Sequence, residues 1–309
     1  MSTALAAIDA APFLSPEHRS RPILTGSTDA ILLEMPAADY YADPCGKPSF
    51  TQSTAKRIIN DSPYHAWLHH PRLGGVKGET TDEMDRGTLI HSLVLGNEPA
   101  IDVLPFDKYT TNAAKEAKRN AEANGLIPVK AKEWDEIQAD AEAIKAELGE
   151  RGIFLAGVSE AVVIWNEGID DRSVLCRGML DHLILSHGNI YDLKTISSAK
   201  PSNIERQITN LCYDVQAEAY CSAIRRLRPE LSGRETFTWL FIETLPEGSP
   251  KRVILSVVKP SGELREFGAR RWRRACEAWI QCNDAGRWPA YGDLVAFPPA
   301  WAMKEEAGS

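Results

Sequence analysis

Gly178–Lys194 reads G-M-L-D-H-L-I-L-S-H-G-N-I-Y-D-L-K. Asp192 and Lys194 are two positions apart, so on a strand both side chains leave the same face. Asp181 comes 11 positions before Asp192, and a hairpin through His187, Gly188 and Asn189 can return it beside Asp192. Around these groups the two strands are apolar: Met179, Leu180, Leu183, Ile184 and Leu185, then Ile190 and Leu193. Charges embedded in such strands cost several kcal/mol unless they are paired or bound to a metal. Two carboxylates and a lysine suit metal-dependent phosphodiester hydrolysis. Mg²⁺ held by the carboxylates would activate a water and stabilise developing charge. The Leu193 carbonyl can complete the metal shell while its side chain enters the core on the opposite face. Lys194 can orient or deprotonate the water, or neutralise the phosphate. D-x-K alone also fits an ordinary ion pair on a surface strand.

Further groups could join this chemistry. Gly87 and His91 are four apart in G-T-L-I-H, on one helix face. The missing side chain at Gly87 permits close approach, and His91 can offer a neutral imidazole to a metal. Gln216 and Tyr220 are likewise four apart, on the helix after the Asp192 strand, where an amide and a phenol can hold a phosphate or order Lys194. Glu160 interrupts an apolar strand, and either a second, indirectly bound metal, a DNA end or a salt bridge would explain it. Two basic patches, Arg225-Arg226 with Arg228 and Arg270-Arg271 with Arg273-Arg274, fit phosphate contacts, an oligomer interface or a solvated helix face. Lys56 and Arg57 are a further basic pair that fits phosphate contacts, and Trp67 fits simple core packing.

The elements that must position these residues follow from periodicity. Residues 1–30 are rich in Ala, Pro and Ser with no sustained period and read as an arm. Thr54–Asn60 is a helix capped by Ser53 or Thr51, broken at Asp61-Ser62-Pro63 and followed by a short helix to His70. Gly74–Glu79 is a polar loop. A helix spans Asp82–Leu95 and ends at Gly96. Asn112–Asn124 and Ala131–Leu148 are helical, the second with Trp134, Ile137, Ala141, Ile144 and Leu148 spaced by three and four. The period then changes: Val158–Trp165, Leu175–Leu185 and Asn189–Thr195 are strands, with a turn at Asp170-Asp171. Asn203–Arg228 reads as one helix, Thr236–Glu243 and Arg252–Val258 as strands, and 261–285 as a late helix. An aromatic, proline-bearing tail runs from Arg287 to Ala300.

The chain has 309 residues, 43% of them apolar, enough to bury a sizeable core. Its net charge of −8 does not advertise nucleic-acid binding, although only the field at a contact face matters. No run of about 18 apolar residues predicts a membrane span, and the N-terminus lacks the basic start of a secretory signal, so a cytoplasmic location is expected. The six cysteines are scattered with no C-x-x-C, which fits reduced thiols and neither a disulfide scaffold nor an iron–sulfur cluster. There is no G-x-x-x-x-G-K-S/T, so ATP is not expected as a cofactor, and no G-x-S-x-G for a serine hydrolase.

In chain order these motifs are S-x-x-x-x-x-I-x-x-S-P over Ser53–Pro63, G-T-L-I-H over Gly87–His91, S-E at Ser159-Glu160, C-R-G-M-L-D over Cys176–Asp181, D-L-K-T over Asp192–Thr195 and Q-A-E-A-Y over Gln216–Tyr220. The ordered set resembles the PD-(D/E)XK nuclease superfamily, within it the phage and prophage exonuclease VIII (RecE-like) group, and also RecB-type nuclease domains. The resemblance covers roughly residues 46–245. It departs at Leu180, where the family often has proline before the first aspartate. The resemblance implies an α/β restriction-endonuclease-like core, a mixed sheet flanked by helices. The domain organisation expected is one nuclease domain over 46–300 with a helical insertion at about 110–150, a flexible arm over 1–45 and a tail over 301–309. The resemblance implies Mg²⁺, with Mn²⁺ as substitute, bound by His91, Asp181, Asp192 and the Leu193 carbonyl. Lys194 would be the catalytic lysine, Gln216 and Tyr220 would support the site and contact phosphate, and Glu160 is a weaker carry-over. The implied activity is 5′-to-3′ degradation of linear double-stranded DNA, leaving 3′ single-stranded tails. A ring-like homo-oligomer and a single-strand annealing (RecT-like) recombinase are the implied partners. The competing expectations are an iron–sulfur or helicase-coupled nuclease of the same superfamily, and a non-catalytic DNA-binding or assembly protein.

Overall fold

A computed structural model describes residues 30–32, 35–76, 82–96, 100–153, 157–246, 248–293 and 295–298. In chain order the elements are β1 (Ala30–Leu32), α1 (Ala37–Tyr41), α2 (Gln52–Asn60), α3 (Pro63–His69), α4 (Asp82–Val94), β2 (Ile101–Leu104), α5 (Asn112–Ala123), β3 (Ile127–Lys130), α6 (Ala131–Glu150), β4 (Val158–Ile169), β5 (Arg172–Ile184), β6 (Asn189–Thr195), α7 (Pro201–Asn210), α8 (Tyr213–Leu227), β7 (Thr236–Thr244), β8 (Val253–Val258) and α9 (Gly262–Ala285). Six strands form one sheet in the order β1-β4-β5-β6-β7-β8. Its neighbours are antiparallel except β6 and β7, which are parallel. A parallel pair needs a long crossover, and α7 with α8 supplies it. The protein therefore has an α/β fold, a mixed sheet flanked by helices.

Burial on both faces fixes the register of the central strands. In β7, Phe237, Trp239 and Phe241 enter one core with α8 and α9, while Leu240 and Ile242 enter a second with α4 and α6. β6 divides likewise, Ile190 to the first core and Leu193 to the second. A slip of β6 by one residue would turn Asp192 and Lys194 into the α4/α6 core, at several kcal/mol for the unpaired charges. The first core carries a group of aromatic rings, Phe50 lying 5.2 Å from Trp272 and 5.1 Å from Trp279 between centroids.

Of the arm expected over residues 1–45, residues 1–29 lie outside the described residues, as do 77–79 of the polar loop and the tail over 301–309. Within the described part, Tyr40, Asp43 and Cys45 are buried. Asp43, at φ 63°, accepts from Ser49 N–H (2.9 Å) and Ser49 Oγ (2.8 Å), and its Oδ1 lies 3.1 Å from Arg177. This pins Phe50, whose N–H donates to Leu175 O and whose carbonyl accepts from Arg177 N–H. Thr51 caps α2 and Ser62 caps α3.

Two readings of the sequence need correction. The stretch expected as one helix over Asn203–Arg228 is two, because Cys212 adopts the left-handed region at φ 54°. Contacts from elsewhere hold this break: Arg271 donates to Cys212 Sγ (3.0 Å) and Asn60 Nδ2 to Asn210 O (3.1 Å). Local periodicity carries no trace of them. The expected helical insertion also contributes a strand, β3, which pairs in parallel with β2 just before it. Strands of four residues, one bearing Pro128, are too short for a period to register.

Candidate active site

The β5–β6 hairpin turns at Gly188, φ 68°, and pairs Ile184 with Asn189, Leu183 with Ile190 and His182 with Tyr191. There the ladder stops. Asp181 takes over with its side chain, Oδ2 accepting from Leu193 N–H at 2.9 Å. On the other side of β5, pairing with β4 joins Ser159 to His182 and Ala161 to Leu180 but omits Glu160 and Asp181. Glu160 sits opposite in the left-handed region, φ 52°, a conformation that costs a non-glycine residue about 1–2 kcal/mol. β5 is thus released from both neighbours at Asp181. The N–H and C=O of one strand residue leave on the same side, so the Leu193 carbonyl also points toward β5.

Four charged side chains meet at this opening. His91 Nε2 lies 2.7 Å from Asp181 Oδ2, and Lys194 Nζ lies 2.5 Å from Asp192 Oδ2. Side-chain exposure is 24% at His91, 17% at Asp181 and Lys194, and 1% at Asp192. Asp192 is therefore the floor, and the other three form the rim a substrate would reach. Gln216 Nε2 donates to Asp192 Oδ1 at 2.7 Å. Among the described residues the Lys194 ammonium is the one group that meets the buried Asp192 Oδ2. Tyr220 is buried and donates its hydroxyl to Met179 O at 3.0 Å. Its ring packs so closely on β5 that a Cβ at Gly178 would come 2.6 Å from Tyr220 Cε1. Helix α4 is brought over the end of β6 at Gly87, where a Cβ would lie 3.0 Å from Thr195 Oγ1.

Burial opposes charge on both aspartates, and their neighbours separate them. At Asp181, His91, Lys194 and the Leu193 N–H outweigh burial and hold the carboxyl down at about 2. At Asp192, burial joined by the Asp181 charge outweighs Lys194 and pushes the carboxyl up to about 7. Burial works against the His91 imidazolium, but Asp181 raises its pKa on balance. The unequal pair is a site whose second carboxylate is buried more deeply than its one ammonium partner compensates. Among the described residues no group of three His, Cys, Asp or Glu side chains is arranged to hold a metal.

The basic candidates divide. Arg225 pairs with Glu218 and with Glu235 at 2.8 Å, Arg226 with Glu167 at 3.3 Å, and Arg271 with Asp214 at 2.8 Å. These arginines tie α8 to its surroundings. Arg270 is exposed and lies 3.9 Å from Glu266. Lys56 and Arg57 lie half-buried on α2. Tyr213, which the spacing did not single out, lies at the site: Lys194 Nζ stands 4.9 Å from its ring centroid and Lys56 Nζ 5.9 Å. It precedes Gln216 by three positions on one helix face, the relation already used for Gln216 and Tyr220. All six cysteines are free and buried.

A mixed sheet flanked by helices, with an Asp-x-Lys strand beside an aspartate-bearing strand, defines a PD-(D/E)XK-like nuclease fold. The chain belongs to the family described as PDDEXK-like domain of unknown function (DUF3799), whose model matches residues 53–297. No curated protein matches it. Among solved structures it is similar to a candidate exonuclease from Eubacterium rectale, at 13% identity and TM-score 0.56, over 89% of this chain and 99% of that one. A phage-related exonuclease from Haemophilus somnus 129PT matches at 14% identity and TM-score 0.32, over 77% of this chain and 96% of that one. The first likeness is one of fold. Among the described residues no helix is long and apolar enough to cross a membrane.

Proposed function

We propose that the chain is a metal-dependent nuclease that degrades linear double-stranded DNA from the 5′ end, leaving 3′ single-stranded tails for recombination by strand annealing. The observation that carries this reading is the meeting of Asp181, Asp192, Lys194 and His91 where β5 parts from β6. Two carboxylates, an imidazole and a main-chain carbonyl are a donor set that suits Mg²⁺ or Mn²⁺. Asp192 Oδ2, buried with only the Lys194 ammonium against it among the described residues, is an atom a hard cation would satisfy. His91, Asp181, Asp192 and the Leu193 carbonyl would hold the ion. Bound there, it would lower the pKa of a water and neutralise phosphate charge.

The chain's own residues do the rest. Lys194 presents its ammonium at the rim, placed to orient the attacking water or to meet the phosphate charge. Gln216 fixes Asp192 by its donated hydrogen bond. Tyr220, buried, acts through β5: it holds the Met179 carbonyl and hence the strand that carries Asp181. Glu160 stands opposite Asp181 on β4 and shapes the opening. End dependence, polarity, a ring-like homo-oligomer and an annealing partner come from the exonuclease VIII resemblance. A ring would reconcile the acidic chain with DNA, since enclosure as well as phosphate contact would retain the substrate.

The test is digestion of matched linear and closed circular duplexes, labelled at 5′ or 3′ ends, with Mg²⁺ or EDTA and no ATP, beside Lys194→Ala. Mg²⁺-dependent loss of the linear DNA alone, beginning at the 5′ end and abolished in the variant, supports the proposal. Cleavage of the circle means an endonuclease. Loss of neither substrate moves the reading to a non-catalytic DNA-binding protein.

A further inference from the structure

We propose that Lys56, Tyr213 and Lys194 form a phosphate subsite that takes a phosphodiester oxyanion of the strand being cut. The inference rests on the nuclease reading above. Tyr213 opens α8, and its position follows from the break at Cys212 that re-aims this helix. Its ring is a shared platform, 4.9 Å from the Lys194 ammonium and 5.9 Å from that of Lys56. Phe241 stands 6.2 Å from the ring on the sheet side. Each lysine gains from the ring quadrupole.

The two cations are not equivalent. Lys194 is paired with Asp192. Lys56 has no carboxylate within ion-pair distance among the described residues. Burial and the nearby Lys194 charge both work against its ammonium. Of the two ammonium groups at the ring, Lys194 has Asp192 at 2.5 Å, so Lys56 is the less compensated one. An anion there would remove the repulsion and compensate the buried ammonium. The site lies next to Asp192, so the anion that arrives there in the working protein is a phosphate of the DNA strand. Lys56 is thus a binding residue, and Tyr213 a positioning residue that holds both lysines through its face.

The experiment measures affinity for a fluorescent duplex in EDTA over a range of salt, and KM and kcat in Mg²⁺. Lys56→Gln should weaken binding about fivefold and lower the slope of log affinity against log salt by about one, the signature of one lost phosphate contact. Tyr213→Phe keeps the ring face and should lose less affinity than Tyr213→Leu, which should fall about as far as Lys56→Gln. The double variant Lys56→Gln/Tyr213→Leu should be little weaker than either single one, because the two act as a unit. An unchanged salt slope in Lys56→Gln, or a Tyr213→Phe defect equal to that of Tyr213→Leu, overturns the subsite. If Tyr213→Leu fails a thermal melt, Lys56→Gln and Tyr213→Phe still decide. A wild type that cuts DNA while Lys56→Gln keeps its affinity, slope and KM refutes the subsite alone. A wild type that cuts nothing but binds DNA with a Lys56-dependent slope refutes the nuclease reading alone. One that neither cuts nor binds overturns both.

Discussion

Replacing Lys194 by Met should change how stability depends on pH, quite apart from activity. In the metal-free protein Asp192 titrates at about 7, because burial and Asp181 outweigh Lys194. Its unfolded value is about 3.9. A carboxyl raised in the folded state binds its proton more tightly there. The stability this gives is fully present below the unfolded pKa and is lost as pH rises through about 7. For the wild type the loss should run from about pH 4 to about pH 7, at most about 1.4 kcal/mol per pH unit, and then level off. Lys194→Met removes the ammonium 2.5 Å from Asp192 Oδ2 and leaves Gln216 as the carboxyl's partner. The folded pKa then moves further up, and Asp192 stays protonated in the folded state alone above pH 7. Between about pH 7 and 8.5 the variant should keep losing about 1.4 kcal/mol per unit relative to the wild type, or about 2 kcal/mol over that interval. The assay is urea unfolding in EDTA at several pH values for both proteins. Groups that do not feel Lys194 cancel in the difference, and His91, whose pKa the Lys194 charge lowers, moves up when it is removed and adds to the loss in the same direction. Parallel curves above pH 7 would refute the picture of Asp192 as the buried floor of the site whose charge depends on Lys194.

Other consequences can be measured directly. Gly178→Ala would place a methyl 2.6 Å from Tyr220 Cε1 and 3.4 Å from Val163 Cγ2, and Tyr220 is buried with its hydroxyl engaged. Overpacking of this kind costs about 1–3 kcal/mol, seen as a lower melting temperature, with loss of Mg²⁺-dependent cleavage as β5 shifts under Asp181. Gln216→Leu withdraws the hydrogen bond to Asp192 Oδ1. It should cut kcat about tenfold or more, with thermal stability changed by about 1 kcal/mol; unchanged kcat would show that Asp192 needs no such support. Arg225→Gln leaves Glu235 with Arg265 as its partner. Burial works against the Glu235 charge, yet the two arginines hold its pKa below the usual range. The stability it adds is present above its unfolded pKa and is lost as pH falls through the folded one. The variant should therefore unfold at higher pH on acid titration, by circular dichroism, and bind DNA as the wild type does; weakened DNA binding in a folded variant would restore Arg225 as a DNA contact.

How much of the site was legible depends on how local its cause is. Asp192 and Lys194 share a face because a strand alternates, and Gly87 with His91 or Gln216 with Tyr220 share one because a helix turns. Those relations need no knowledge of distant residues. The return of Asp181 to Asp192 was also open to inspection, since turn residues sit between two apolar runs. Tyr213 obeyed the same helical spacing, but its approach to Lys194 depends on the break at Cys212. Asn60 and Arg271, remote in sequence, hold that break. The arginine patches show the opposite case. Their clustering is plain in the sequence, and whether each charge is free is not: Arg225, Arg226 and Arg271 find Glu218, Glu235, Glu167 and Asp214 on other turns and elements.

By itself the sequence determined the period of each long element, the alternation that buries both faces of β6 and β7, and the residue types able to hold a hard cation. Tertiary structure alone decided that the ladder stops at His182–Tyr191, that Glu160 takes a positive φ opposite Asp181, and that one aspartate titrates at about 2 and the other at about 7. The physical reason is range. Backbone periodicity acts over a few residues and is written in their order, whereas burial and charge act through space between groups that only the folded chain brings together.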